Sequence, residues 1–85
     1  MNPRKLLGRI SRGDVTNVDF DDSCRLLQHL GFNASRTSGS HHIVSHPDVP
    51  ELVNVQNVGA LAKPHQVRQV LRLVERYNLR LEGGA

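Results

Sequence analysis

Tryptophan is absent, tyrosine and cysteine each occur once, and phenylalanine occurs twice in the 85 residues. With so few large side chains the chain can bury only one thin apolar layer. This excludes a deep enclosed substrate pocket and leaves chemistry on a surface or in a shallow groove. A lone Cys24 excludes an internal disulfide, and its place among apolar residues at helical spacing points to a reduced, intracellular protein. No run approaches the roughly 20 apolar residues that cross a bilayer. The opening MNPRKLLGRISRGD lacks the apolar stretch of a secretory signal. The expectation is a cytoplasmic protein without membrane contact, folded as one domain over residues 1–85.

What is present is positive charge, unevenly placed. Residues 1–18 carry Arg4, Lys5, Arg9 and Arg12 against Asp14, and residues 61–81 carry Lys63, Arg68, Arg72, Arg76 and Arg80 against Glu75. Residues 19–60 hold Arg25 and Arg36 against five acids. Two basic ends around a mildly acidic middle suggest polyanion binding at defined surfaces, with ordinary solvated helix faces as the plainer reading.

Periodicity places the elements. Asn2 is a good N-cap and Pro3 suits a first helical turn, so residues 1–16 read as a short N-terminal extension helix with Leu6, Leu7 and Ile10 as its stripe. In NVDFDDSCRLLQHLGF, Phe20, Cys24, Leu27 and Leu30 share one helical face, and Gly31 is the stop. Beyond Gly31 the period changes to two. FNASRT, HHIVSH and ELVNVQN read as three strands, with a turn at Ser38-Gly39 and a ladder-breaking PDVP between the second and third. AKPHQVRQVLRLVERYN is a closing helix with Val67, Val70, Leu71, Val74 and Tyr77 on its apolar side. Its Arg68, Arg72 and Arg76 form a basic ridge at four-residue spacing. The expected fold is α+β: an α-β-β-β-α core over residues 19–81, with a three-stranded antiparallel sheet and two helices on one face. Double-stranded-RNA-binding domains (dsRBDs) share this architecture.

Three of the five histidines fall in RTSGSHHIVSH. Strand alternation sets His42, Val44 and His46 on one face and His41, Ile43 and Ser45 on the other. Ile43 marks the second as the more core-like, which leaves His42 on the open face. A zinc site needs convergent ligands about 2.0–2.3 Å from the metal. His42 and His46 lie roughly 13 Å apart at about 3.3 Å per residue, so no metal site or cofactor is expected. Cys24 reads as a small core residue rather than a nucleophile. Ser40 lacks an acid-oriented histidine and a strand-turn-helix elbow. Proton transfer, phosphate contact and polar filling of a solvent-facing strand stay open. RNA brings its own nucleophile, the 2′-OH, so one histidine and a row of arginines hold enough parts for strand cleavage without a metal.

The segments GDVTNVDFDDSCRLLQHLGF, SGSHHIVSHPD and AKPHQVRQVLRLVERYNL together resemble the HicA family of toxin ribonucleases (mRNA interferases), over roughly residues 1–81. The most specific local motif is G-S-x-H behind a helix ending in Gly-Phe, present here as Gly39-Ser40-His41-His42. The resemblance implies a dsRBD-like fold, sequence-relaxed cleavage of mRNA in the cytoplasm, and neutralisation by a HicB-like antitoxin. It carries the catalytic acid/base role to His42. With it, the Gly39-Ser40 turn would let a phosphate approach the backbone amides, and Lys63, Arg68 and Arg72 would contribute RNA affinity. Many relatives carry Pro-x-His at the end of the third strand, whereas this chain has Gln56-Asn57, and His65 does not restore the position. The general acid is then His46, an arginine or water. A non-catalytic dsRBD-like RNA-binding module is the alternative reading, and the basic surface also suits an acidic protein partner.

Overall fold

The computed structural model describes residues 1–82 of the chain. Helix α1 spans Pro3–Ser11, with the Asn2 side chain accepting the Lys5 amide at 2.8 Å and Pro3 in the first turn. This is the arrangement its sequence calls for, because the first turn's free N–H groups need an acceptor and proline has none to satisfy. Helix α2 spans Phe20–His29, is capped by Asp19 through the Asp22 amide at 3.0 Å, and carries Asp21 and Asp22 in its first turn. It ends at Gly31, whose φ of +98° favours glycine. A Cβ there would also lie 2.8 Å from Nε2 of His46, so space and backbone both exclude a side chain.

Strands β1 (Asn33–Ser38), β2 (His41–His46), β3 (Val49–Val58) and β4 (Leu61–Ala62) form one antiparallel sheet in the order β1-β2-β3-β4, followed by helix α3 (Pro64–Tyr77). The α+β fold is as expected, with one strand more. That strand is two residues long, too short for any periodicity. It is held by backbone bonds outside the main ladder: Ala62 donates to the Val18 carbonyl, and Leu61 bridges Asp19. The preceding turn has Gly59 at φ +58° and Ala60 at φ +70°, the two positive values of a type I′ turn.

Two turns differ from expectation. The β1–β2 turn is Gly39-Ser40, as the family resemblance implies, rather than the Ser38-Gly39 that periodicity places, because Ser38 pairs with His41. Gly39 alone has positive φ (+59°), as suits the first central position of a type II′ turn. Pro50 lies inside β3 rather than ending the ladder. Between the pairs Val44–Val53 and His46–Val49, three β3 residues oppose Ser45 alone, and this bulge absorbs the missing amide.

The core gathers Phe20, Leu26, Leu27 and Leu30 of α2 and its cap, Val53 and Val55 of β3, and Val67, Val70 and Leu73 of α3. Leu6 and Ile10 of α1 are 1% and 0% exposed and meet Val18, Leu26, Val55, Val67 and Val70, so α1 is part of the core and closes the cleft between α2 and α3. Gln66, buried at the start of α3, accepts the Gln56 amide at 2.7 Å and ties α3 to β3. Such a bond spares a buried polar group the cost of going unpaired. Among the described residues no helix covers the other face of the sheet, and Leu52 there is 60% exposed. No helix among the described residues is long and apolar enough to cross a membrane.

Candidate functional site

The β1–β2 hairpin places the three clustered histidines in three different settings. Across the sheet His42 pairs with Thr37 on one side and with Val55 on the other. Val55 and Val53 are buried under the helices, so His42, Val44 and His46 face the helical layer while His41 and Ile43 face the open side. This reverses the expected faces. The buried valines of β3 decide the matter, and Ile43 stands opposite Asn54 on the uncovered face instead of in the core.

His42 is half-buried, with its ring against Phe20 at a centroid distance of 4.9 Å and a tilt of 50°. It borders a groove of about 150 Å³ between α2 and the β1–β2 pair. Leu27, Phe32 and Val44 give that groove an apolar floor, while Gln28, Arg36, Thr37 and His42 supply its polar groups. All six residues of β1 are exposed, so the outer wall of the groove is a strand with solvent around it. Among the described residues, no hydrogen bond occupies the His42 ring, whereas the rings of His29 and His41 each have a partner and that of His46 has two. A half-buried imidazole with free nitrogens at the mouth of a groove can accept or give a proton to whatever enters.

His41 is exposed and its Nδ1 accepts from the Asn54 amide at 3.3 Å. His46 is committed at both nitrogens: Nε2 donates to the Leu30 carbonyl at 3.0 Å, and Nδ1 accepts the Asp48 amide at 3.0 Å. These bonds, with Phe32 edge-on at 5.1 Å, make His46 a clasp between the end of α2 and the β2–β3 turn. Neither ring nitrogen of His46 is free in this arrangement, which ties the strand end to the helix end.

Gly39 and Ser40 form the exposed hairpin tip, anchored where the Ser40 carbonyl accepts the Asn57 amide at 3.0 Å. Lys63 is half-buried at the cap of α3, and Arg68 and Arg72 are exposed on the outer side of that helix. None of the three lines the groove beside His42. The third arginine of the ridge, Arg76, is engaged with Glu51 at 3.0 Å. The cation that does border the groove is Arg36, which was not singled out from sequence. Its signal lies in the register of a two-residue Gly39-Ser40 turn, which sets Arg36 opposite Ile43, next to His42.

At the position where Pro-x-His was expected, both residues have structural tasks. The Gln56 amide goes to Gln66, and Asn57 Oδ1 accepts the Ala60 amide at 2.8 Å in the β3–β4 turn. Cys24 also borders the groove, but burial, with the nearby Asp21 charge, pushes its thiol up and keeps it protonated near neutral pH. No group of three or more His, Cys, Asp or Glu among the described residues is placed to hold a metal ion.

A family model described as "HicA toxin of bacterial toxin-antitoxin" matches residues 20–75, from the first residue of α2 into α3. The match includes the groove, the hairpin and His42, and leaves α1 outside. No curated protein and no solved structure matches the chain.

Proposed function

The chain belongs to the HicA toxin family of bacterial toxin–antitoxin systems, and from that premise we propose that it is a metal-independent endoribonuclease of mRNA with His42 as its acid/base residue. The observation that supports this reading most is the His42 ring, half-buried against Phe20 at the mouth of a groove, with no hydrogen bond to either nitrogen among the described residues. Being free is what a proton carrier needs, and being packed on one side is what holds it in place.

In the proposed reaction His42 takes the proton of a ribose 2′-OH. The 2′-oxygen bonds to the adjacent phosphorus, the P–O5′ bond breaks, and the 5′-oxygen takes a proton from solvent. The products are a 2′,3′-cyclic phosphate and a 5′-OH end. Lys63, Arg68 and Arg72 lie outside the groove and serve affinity along the RNA backbone rather than the reacting phosphate. The exposed Gly39-Ser40 tip brings backbone amides to the strand end next to His42. With His46 committed elsewhere, catalysis rests on one histidine, worth on the order of 10²–10⁴-fold as a general acid–base group. A small acidic antitoxin of HicB type, seated over the groove, would block it.

The test is cleavage of single-stranded RNA in the presence of EDTA by the wild-type chain and by His42→Ala. The expected result is cyclic-phosphate ends from the wild type and none from the variant. Cleavage that needs added metal, or that survives the substitution, would refute the assignment. Binding of RNA without any product would favour a non-catalytic RNA-binding module.

A further inference from the structure

The groove beside His42 has more polar equipment than a single proton transfer needs. Its floor is apolar (Leu27, Phe32 and Val44), and its rim carries an amide (Gln28), a hydroxyl (Thr37) and a guanidinium (Arg36). A small, partly apolar groove with an amide at one side suits an unstacked nucleobase. Its face meets the floor, and its edge meets donors and acceptors. At about 150 Å³ the groove is well below the volume of a drug-sized site, and it has room for one planar ring system. Arg36 borders the groove from the exposed edge strand, where its long side chain is within reach of a nucleotide's phosphate, and no carboxylate lines the groove to oppose it.

Gln28 projects from the last helical turns of α2 and is exposed, while Thr37 stands directly across the strand pair from His42. The groove therefore starts at the proton carrier and extends from Thr37 toward Gln28. We infer that it seats the base of the nucleotide whose 2′-OH His42 deprotonates. Gln28 and Thr37 read the base edge, and Arg36 holds the adjoining phosphate. This rests on the ribonuclease reading and goes further by assigning selectivity to two side chains. A glutamine amide can pair with a base edge through donor and acceptor together, an arrangement that discriminates between bases by about five- to 150-fold.

The experiment uses single-stranded RNA randomised at one position, with product 5′ ends mapped by sequencing for the wild type, Gln28→Ala and Thr37→Val. Both substitutions keep helix- or strand-compatible residues at exposed positions, so the chain should remain folded. The wild type is expected to prefer one base immediately 5′ of the cut by at least about fivefold, and Gln28→Ala to flatten that preference. Thr37→Val should change it as well. Arg36→Gln is expected to raise KM for every site alike. A wild type indifferent to that base, or a preference untouched in both variants, overturns the inference and leaves the ribonuclease reading standing. Loss of the ribonuclease reading shows differently, as equal cleavage by the wild type and His42→Ala or as no cleavage by either, and it removes the inference with it.

Discussion

The ring of His42 leans on that of Phe20, with centroids 4.9 Å apart and planes at 50°, and this contact joins β2 to the first residue of α2. Phe20 is 5% exposed and its amide donates to the Ala60 carbonyl, so the wall behind the imidazole is itself fixed. Phe20→Leu keeps apolar bulk and removes the flat surface. It should lower kcat for RNA cleavage by a factor between a few and about 100, as expected for a misplaced reacting group, while KM stays near the wild-type value. Steady-state kinetics alongside a melting curve separate this loss of positioning from unfolding.

Helix α1 lies outside the family-matched span, and its two buried residues reach the centre of the core. Ile10→Ala should destabilise the chain by about 2–5 kcal/mol. The total for 85 residues is roughly 4–13 kcal/mol. A variant beginning at residue 20 should accordingly fail to fold alone, since Val18 is lost and the apolar surfaces of Val55, Val67 and Val70 are opened. Denaturant titration of both variants checks this; a cooperative transition in the truncated chain would show α1 to be dispensable.

The helices are legible in the sequence because their caps and stripes are local: Asn2 with Pro3, Phe20 with Leu27 and Gly31, and Val67 with Val70 each act within a few turns. The sheet was legible in its count of long strands but less so in its faces. The apolar Ile43 suggested that its side was inward, whereas the decision belongs to Val53 and Val55 on the next strand. A turn set one residue early also hid the pairing that brings Arg36 and Thr37 beside His42. Alternation is half of the case for His42 and puts it on the wrong face; the G-S-x-H resemblance does not use the face, and the groove beside the ring is not legible in alternation. The bond from His46 to Leu30 joins residues 16 positions apart, a distance over which no local pattern reports.

Ala60 is a non-glycine residue in the left-handed region, at φ +70°, held there because its amide donates to Asn57 Oδ1 and its carbonyl accepts the Phe20 amide. That conformation costs an L-residue roughly 1–2 kcal/mol. Ala60→Gly relieves it and gives back about 0.4–1 kcal/mol through the freer unfolded chain. The net expectation is a gain of up to about 1.6 kcal/mol, read as a higher denaturation midpoint with an unchanged slope. A loss of stability would mean that the turn carries no strain.

His46→Leu tests the clasp. It leaves the Leu30 carbonyl and the Asp48 amide without partners, at a cost of about 1–3 kcal/mol where these groups are shielded from water. Cleavage per folded molecule should stay close to wild type, because the ring touches neither the groove nor His42. Activity measured well below the melting midpoint, and normalised to folded fraction, decides the point. A deep loss of activity there would return His46 to the reaction.

The last prediction concerns pH. The Tyr77 hydroxyl donates to Glu51 at 2.6 Å and Arg76 adds a second contact at 3.0 Å, fastening the end of α3 to β3. The hydrogen bond from Tyr77 is the main cause holding the Glu51 carboxyl below its ordinary range, and Glu51 in turn pushes the Tyr77 hydroxyl up. A lowered carboxyl favours the folded state once pH is above its unfolded value, and that contribution fades as pH falls through the folded one. A raised phenol favours the folded state below its unfolded value, and its contribution fades as pH rises through the folded one. The tie should therefore hold across the neutral range and weaken at both extremes. Tyr77→Phe removes its main donor, so the variant should be less stable near neutrality and show a shallower fall in stability on the acid side. Thermal melts across acid to neutral pH measure the two slopes; parallel curves for wild type and variant would show that the Glu51 shift has another source.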